Sequence, residues 1–299
     1  MRAGVIAAVM LLAGASPLWA EPLGTGTIFD NDFIGDGEDR WRTGSYTVSH
    51  LRGPKWDGTL PARFGEILEY RFRAEIIAPD NLAAPAPGDR PYVGIASFGL
   101  FSHFARGGTQ MSLGANLVFT GPQTGISALH DAAHELLNTT DPEAATDVEL
   151  GNDVYPTAMA EAVRPIALSG GVEARPFIAA QAGAETMVRA GGDVIFGAGL
   201  KGGLLLRDEV TGHLYPGIDG GGSGTAFLVG GDVAAVADSR FLPSSRGLQE
   251  ESTRTRLRAG LSWRGRGKGL FYGLTWLSEE FEAQPEGQVI GTLNLMLNF

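Results

Sequence analysis

The stretch LEYRFRAEI, residues 68–76, leaves few folds open. Leu68, Tyr70, Phe72, Ala74 and Ile76 alternate with Glu69, Arg71, Arg73 and Glu75. In an extended chain this puts an apolar row on one face and four charges on the other. The charged face needs water or ion-pair partners, and the apolar face needs an oily medium. A barrel wall with lipid outside and a polar, paired interior meets both demands. The pattern recurs in QMSLGANLVF through Met111, Leu113, Ala115, Leu117 and Phe119, and in TRLRAGLSW through Leu257, Ala259, Leu261 and Trp263. It returns in GTLNLMLNF, where Leu293, Leu295, Leu297 and Phe299 alternate with Asn294, Met296 and Asn298. A final strand that closes on an aromatic residue is typical of bacterial outer-membrane barrels.

Alternation and turn residues together predict twelve strands, near 24–31, 43–51, 66–78, 91–105, 109–119, 156–168, 172–184, 187–200, 224–237, 252–264, 268–280 and 288–299. The expected fold is all-β: a 12-stranded antiparallel transmembrane β-barrel with a short helix, 125–138, in an extracellular loop. An even count puts both termini on the periplasmic side. Gly107-Gly108, Gly170-Gly171 and RGRGKG (264–269) supply tight periplasmic turns. The Gly-rich stretch 203–222 falls on that side too, as an unusually long link. Trp41, Trp56, Trp263 and Trp276 lie near predicted strand ends, where interface belts and ordinary packing both place tryptophan.

The first residues read as a secretory signal. Arg2 is followed by an apolar run from Val5 to Ala13, and Ala20 precedes Glu21. That run is too short to span a bilayer, which takes about 20 residues. The expected division is therefore 1–20 signal peptide and 21–299 barrel. There are no cysteines, hence no disulfide and no thiolate metal site. A net charge of −11 argues against nucleic acid, which is bound through Lys and Arg. A soluble periplasmic β domain is the rival home, but it leaves the charged face of 68–76 unexplained.

Strand parity gathers four polar clusters at the extracellular rim: Asp30-Asn31-Asp32, the DRWRTGS segment with Asp39, Arg40 and Thr43, the pair Asp89-Arg90, and LHDAAHELL. Convergence of this kind is what an active site needs. Each cluster also has a plainer reading. Asn31 and Asp32 suit a turn, Asp89 and Arg90 a structural ion pair, and the histidines the solvent face of a helix. His130 and His134, four apart, share one helix face in a near match to the H-E-x-x-H of zinc proteases. Asp131 is a methylene shorter than the usual Glu, and no third ligand follows in a recognisable motif, so zinc proteolysis is set aside.

Asn31-Asp32, DRWRTG, GDRPYVG and TGPQTGISALHDAAHELL, in this order, resemble the outer-membrane lipid A 3-O-deacylases. The likeness runs from Asn31 to Phe299, with its distinctive motifs in the first half. It implies an esterase that removes the 3′-acyloxyacyl group of lipid A (lipopolysaccharide) in the outer leaflet, depends on Ca2+, and works as a monomer among outer-membrane lipids. Position by position, His134 rather than His130 falls on the catalytic histidine and acts as general base. Thr43 and Asn31 are expected beside it in catalysis, and Asp32 with Asn31 on the metal. Asp89 and Arg90 are expected in a structural or substrate-phosphate role. The family carries basic residues in the loop that here reads DNLAAPAPG, and Thr140-Asp141 with PEAA replace its usual segment after the helix. Those departures keep a second expectation open: a non-catalytic barrel, whether structural, porin-like or lipid-binding.

Overall fold

The computed structural model describes residues 20–138 and 142–297. All of the expected signal segment except Ala20, together with Asp141 and Phe299, lies outside the described residues. Six strands form the first half of a closed antiparallel barrel: β1 (Glu21–Asn31), β2 (Trp41–Gly53), β3 (Ile67–Ala78), β4 (Val93–Arg106), β5 (Thr109–Thr120) and β6 (Asp153–Val163). A two-residue β7 (Ile166–Ala167) continues the edge of β6 along β8 (Val172–Ala182). After β9 (Glu185–Gly197) comes a small hairpin, β10 (Leu204–Arg207) and β11 (Leu214–Ile218). The wall then resumes with β12 (Gly224–Ser239), β13 (Thr253–Gly265), β14 (Lys268–Leu277) and β15 (Gln288–Leu297). Each wall strand pairs with its neighbour in sequence, β6 meets β8, and β15 closes on β1 through Phe29↔Leu293. Twelve strands therefore make the wall, at the positions that alternation predicts. No helix among the described residues is long and apolar enough to cross a membrane.

The two faces of the wall differ as the sequence demands. On β3, Glu69, Arg71, Arg73 and Glu75 are all buried in the lumen, while Tyr70 faces outward. On β13, Arg254, Arg256 and Arg258 are buried, and Leu257, Leu261 and Trp263 are more than half exposed on the outside. The interior charges are paired. Arg258 contacts Asp193 at 2.6 Å and Asp232 at 2.5 Å. Arg42 reaches Glu75, Glu185 and Glu280 at 2.7, 3.1 and 2.8 Å. Removing one member of such a set strands a buried charge, at a cost of about 3–5 kcal/mol.

The stretch 203–222 corrects the expectation of a periplasmic link. It enters the lumen as the β10–β11 hairpin instead. Leu204, Leu206, Tyr215 and Ile218 pack with Ile28, Leu51 and Ile67 of the wall. Its polar tip is tied to the lumen charges: Arg207 pairs with Glu161 and Asp193, and Glu209 with Arg71. Thr211 donates to Asp30 at 3.3 Å. Three consecutive leucines would be costly in an aqueous link, and the lumen removes them from water. Hairpin and ion pairs together obstruct the lumen that a porin leaves open, with a cavity remaining between Arg71, Glu161, Arg175 and the hairpin. The tryptophans divide as well. Trp263 and Trp276 face outward, whereas Trp41 is buried with Leu242, Leu248 and Phe281, and Trp56 donates to the Gly202 carbonyl at the hairpin's base.

Candidate active site

Three local features build the site at the end of the barrel where β1 meets β2. The β1 ladder runs one residue past its end, with Asp32 N–H donating to the Thr43 carbonyl at 3.0 Å. Asp32 thus points inward from the top of the wall and is fully buried. The register against β3 shifts between Trp41 and Gly44. This irregularity lets Arg42 and Thr43, adjacent in sequence, both be buried. Arg42 reaches down into the lumen, and Thr43 stays at the rim.

The third feature is the helix α1 (Ile126–Leu137), entered through Gly125 at φ 71° and closed by Asn138 in the left-handed region at φ 53°. α1 lies against the outer wall, where β-carbons at even positions of β4 face away from the lumen. Ile126 packs so close to Gly94 that a methyl there would stand 3.1 Å from its Cβ. Ile126, Ser127 and His130 form the buried face, and His134 follows one turn later. Leu129, Leu136 and Leu137 point away and are 66%, 85% and 69% exposed.

A continuous polar chain crosses the rim from lumen to outer wall. Thr43 Oγ1 lies 2.8 Å from Asp32 Oδ1 and 2.6 Å from Asp39 Oδ1. Asp39 Oδ2 lies 2.9 Å from His134 Nε2, which lies 2.9 Å from His130 Nε2. His130 Nδ1 in turn meets the Tyr92 hydroxyl at 3.1 Å. Asp32 also accepts from the Arg40 backbone N–H at 2.7 Å and from Gln288 Nε2 at 3.2 Å. Burial pushes the Asp32 carboxyl up to about 8, against the pull of the Arg40 N–H and the Thr43 hydroxyl, and Asp39 and Asp36 add to the rise. Burial holds His130 down to about 4, so its ring is neutral at physiological pH.

Of the residues expected from sequence, Asp32, Thr43 and His134 are joined by this chain through Asp39. Asn31 stands one residue outward on β1, facing the outer wall. Its Oδ1 accepts from Phe33 N–H at 3.0 Å, and its Nδ2 sits over Gly44, 3.2 Å from where a β-carbon would be. Asp89 accepts from the backbone N–H of Asp80 and of Arg90 at 2.6 and 2.7 Å. The Arg90 guanidinium is buried and meets Glu280 at 2.6 Å. It therefore braces the rim from inside and is not presented to solvent. Sequence reasoning gathered Asp39 at the rim without giving it a role, and passed over Tyr92 and Gln288. Asp39 stood in DRWRTG, but no spacing rule links it to a histidine 95 positions later.

Asp39, His130 and His134 each offer a ligand atom, all within 4.8 Å of one another. On the other side of Asp39, one hydroxyl proton faces two carboxylates. Among the described residues no Lys or Arg reaches ion-pair distance of Asp32 or Asp39. The rim is thus a site with more acceptors than donors, suited to a cation. The family model described as outer membrane protein LpxR matches residues 5–299. The chain belongs to the LpxR family. Its barrel is accordingly an outer-membrane barrel, with α1 in an extracellular loop. No curated protein matches the chain in sequence. Among solved structures, LpxR from Salmonella typhimurium superposes with a TM-score of 0.72 at 16% identity, covering 92% of this chain and 100% of that one. The β domain of the Bordetella autotransporter BrkA gives a TM-score of 0.39 at 10% identity, over 92% and 99% of the two chains. The LpxR likeness shows a shared fold; the site residues rest on the geometry above.

Proposed function

We propose that this LpxR-family barrel is a calcium-dependent lipid A 3-O-deacylase that hydrolyses the 3′-acyloxyacyl ester in the outer leaflet. The observation that carries the reading is the chain Asp32–Thr43–Asp39–His134 across the rim, with its histidine beside a carboxylate. A neutral His134 takes a proton from water, and Asp39, 2.9 Å away, orients the ring and offsets the imidazolium charge. The Asn31 amide and the Thr43 hydroxyl are the neutral donors at hand for charge developing on the ester oxygen. Asp32, Asp39 and Thr43 form an all-oxygen set of the kind calcium takes, and the shared hydroxyl proton is the imbalance a divalent cation relieves. Bound there, calcium supplies positive charge for the developing oxyanion.

The setting of α1 supports a lipid substrate. Its exposed leucines continue the apolar outer wall at the height of His134, so the acyl chains of a leaflet lipid meet the site from the side. Residues 1–20 fit this reading as a cleaved export signal, which N-terminal sequencing of the mature barrel checks by finding Glu21 first. A monomer suffices, since one chain contains the whole cluster.

Mass spectrometry of lipid A from cells expressing wild type or His134→Ala tests the proposal. Wild type removes one acyloxyacyl group in the presence of calcium, and the variant removes none. Identical, unmodified lipid A from both would overturn it. The porin-like alternative predicts conductance across planar bilayers, which a lumen obstructed by the β10–β11 hairpin opposes.

A further inference from the structure

The histidine pair set aside as a protease motif finds its third partner in Asp39, and the resulting set is unlike the oxygen side of the rim. We propose that Asp39, His130 and His134 form a binding site for a divalent transition metal of the zinc class, and that its occupation turns the esterase off. The first half of this inference stands on geometry alone; the second rests on the deacylase reading.

The three atoms lie at 2.9 Å (His130 Nε2 to His134 Nε2), 2.9 Å (His134 Nε2 to Asp39 Oδ2) and 3.9 Å (His130 Nε2 to Asp39 Oδ1). A tetrahedral ion with bonds of about 2.0–2.1 Å separates its ligands by about 3.3 Å, within that spread. Helical spacing places both rings on one face, so neither needs a backbone change to converge. Each outer ligand is also held from behind. His130 Nδ1 is 3.1 Å from the Tyr92 hydroxyl, and in the tautomer that donates to Tyr92 the Nε2 lone pair is bare. Asp39 Oδ1 receives the Thr43 hydroxyl at 2.6 Å. The histidine side chains are 8% and 11% exposed and that of Asp39 is 33% exposed, so the cluster opens to solvent mainly along Asp39. That opening admits an ion and leaves its fourth position to water.

Two imidazoles and one carboxylate suit zinc, cobalt or nickel, whereas calcium and magnesium require oxygen. The two metal classes therefore meet at Asp39 from opposite sides. A transition metal on this set takes up His134 Nε2 and Asp39 together, removing the base and its partner from ester hydrolysis.

The test uses the full mature barrel in detergent micelles, stripped of metal and titrated with Co2+ and then Zn2+. One equivalent of cobalt is expected to give the visible spectrum of a tetrahedral nitrogen–oxygen site, and zinc to displace it. His130→Gln is expected to weaken binding more than about tenfold, and Tyr92→Phe by a smaller factor, with circular dichroism reporting an intact barrel. Calcium is expected to leave the cobalt spectrum in place at low excess. Absence of a tetrahedral spectrum in wild type, or its persistence in folded His130→Gln and Asp39→Asn, overturns the site. Deacylation that continues unchanged at saturating zinc overturns the off switch. A tetrahedral spectrum in a barrel that never modifies lipid A keeps the metal site and discards the esterase, so the two readings fail separately.

Discussion

In the lumen, Arg258 sits between Asp193 and Asp232, and each buried carboxylate of that set meets at least one guanidinium. At the rim, where β1 meets β2, Asp32 and Asp39 share one threonine hydroxyl, and among the described residues neither meets a guanidinium. Both regions bury acid, but only one neutralises it internally. Charges that serve the fold are balanced on site, because an unpaired buried ion is costly. Charges left unbalanced in a partly open cluster are poised for a ligand, a proton or a substrate. The contrast separates the architecture of this barrel from its chemistry.

The strongest way to break the contrast is Asp39→Asn. The amide keeps the shape and the contact with Thr43 but loses the charge that stabilises a protonated His134. Deacylation of lipid A in micelles is expected to fall about 10²–10³-fold, while the unfolding midpoint in guanidinium shifts little. Near-normal turnover would remove Asp39 from the mechanism.

The lumen should behave in the opposite way. Arg258→Met leaves Asp193 and Asp232 short of a partner and is expected to destabilise the barrel by about 3 kcal/mol in equilibrium unfolding. Arg207 still contacts Asp193 and Arg256 still contacts Asp232, which keeps the loss at the low end of that class. The folded fraction should retain its specific activity. A silent Arg258→Met would mean that the lumen tolerates imbalance as the rim does.

How far each region was legible follows from the same difference. The wall could be read because lipid and lumen impose a two-residue period, and Glu69 to Glu75 on β3 display it openly. α1 was expected at 125–138, with His130 and His134 four apart on one face. The β10–β11 hairpin was not legible as a lumen element, since Leu204 and Leu206 are satisfied by Ile28, Leu51 and Ile67, far away in sequence, and Leu205 packs against the cluster of Ile195 and Leu228. The run of three leucines after Gly202-Gly203 was the available signal, because water is a poor home for it. Asp39 was hidden for another reason. Its value depends on a register shift near Trp41 and on a helix folded onto the outer wall, neither of which has a local signature.

Calcium sharpens the comparison at the level of stability. A ligand that binds only the folded barrel stabilises it by about 2.7 kcal/mol at one hundred times its dissociation constant. Calcium is expected to raise the unfolding midpoint of wild type in this way, and chelation to abolish both the increment and the activity. In Asp32→Asn the increment should vanish even if the barrel is intrinsically more stable, because the variant no longer buries an acid whose pKa is forced up to about 8. The sign follows from linkage. An acid raised in the folded state favours folding less as pH climbs from about 4 toward 8, so wild type without calcium loses stability across that window and the variant does not. An equal calcium increment in both proteins would place the ion elsewhere.

The smallest expected effect addresses Asn31, whose amide lies on the outer wall beside Gly44. Gly44→Ala adds a methyl 3.2 Å from Asn31 Nδ2 and 3.6 Å from the Asp30 carbonyl, with no left-handed backbone to strain. The amide must move by a few tenths of an ångström, while the fold changes by no more than about 0.5 kcal/mol. If that amide donates to the ester oxygen, turnover should drop by up to about tenfold with little change in KM, since a displaced donor is felt most in the transition state. Asn31→Asp, which keeps an acceptor for the Phe33 N–H but lacks the amide donor, should lower turnover further. If both variants hydrolyse lipid A at the wild-type rate, Asn31 serves only the turn after β1, and the chemistry is confined to the chain from Asp32 to His134.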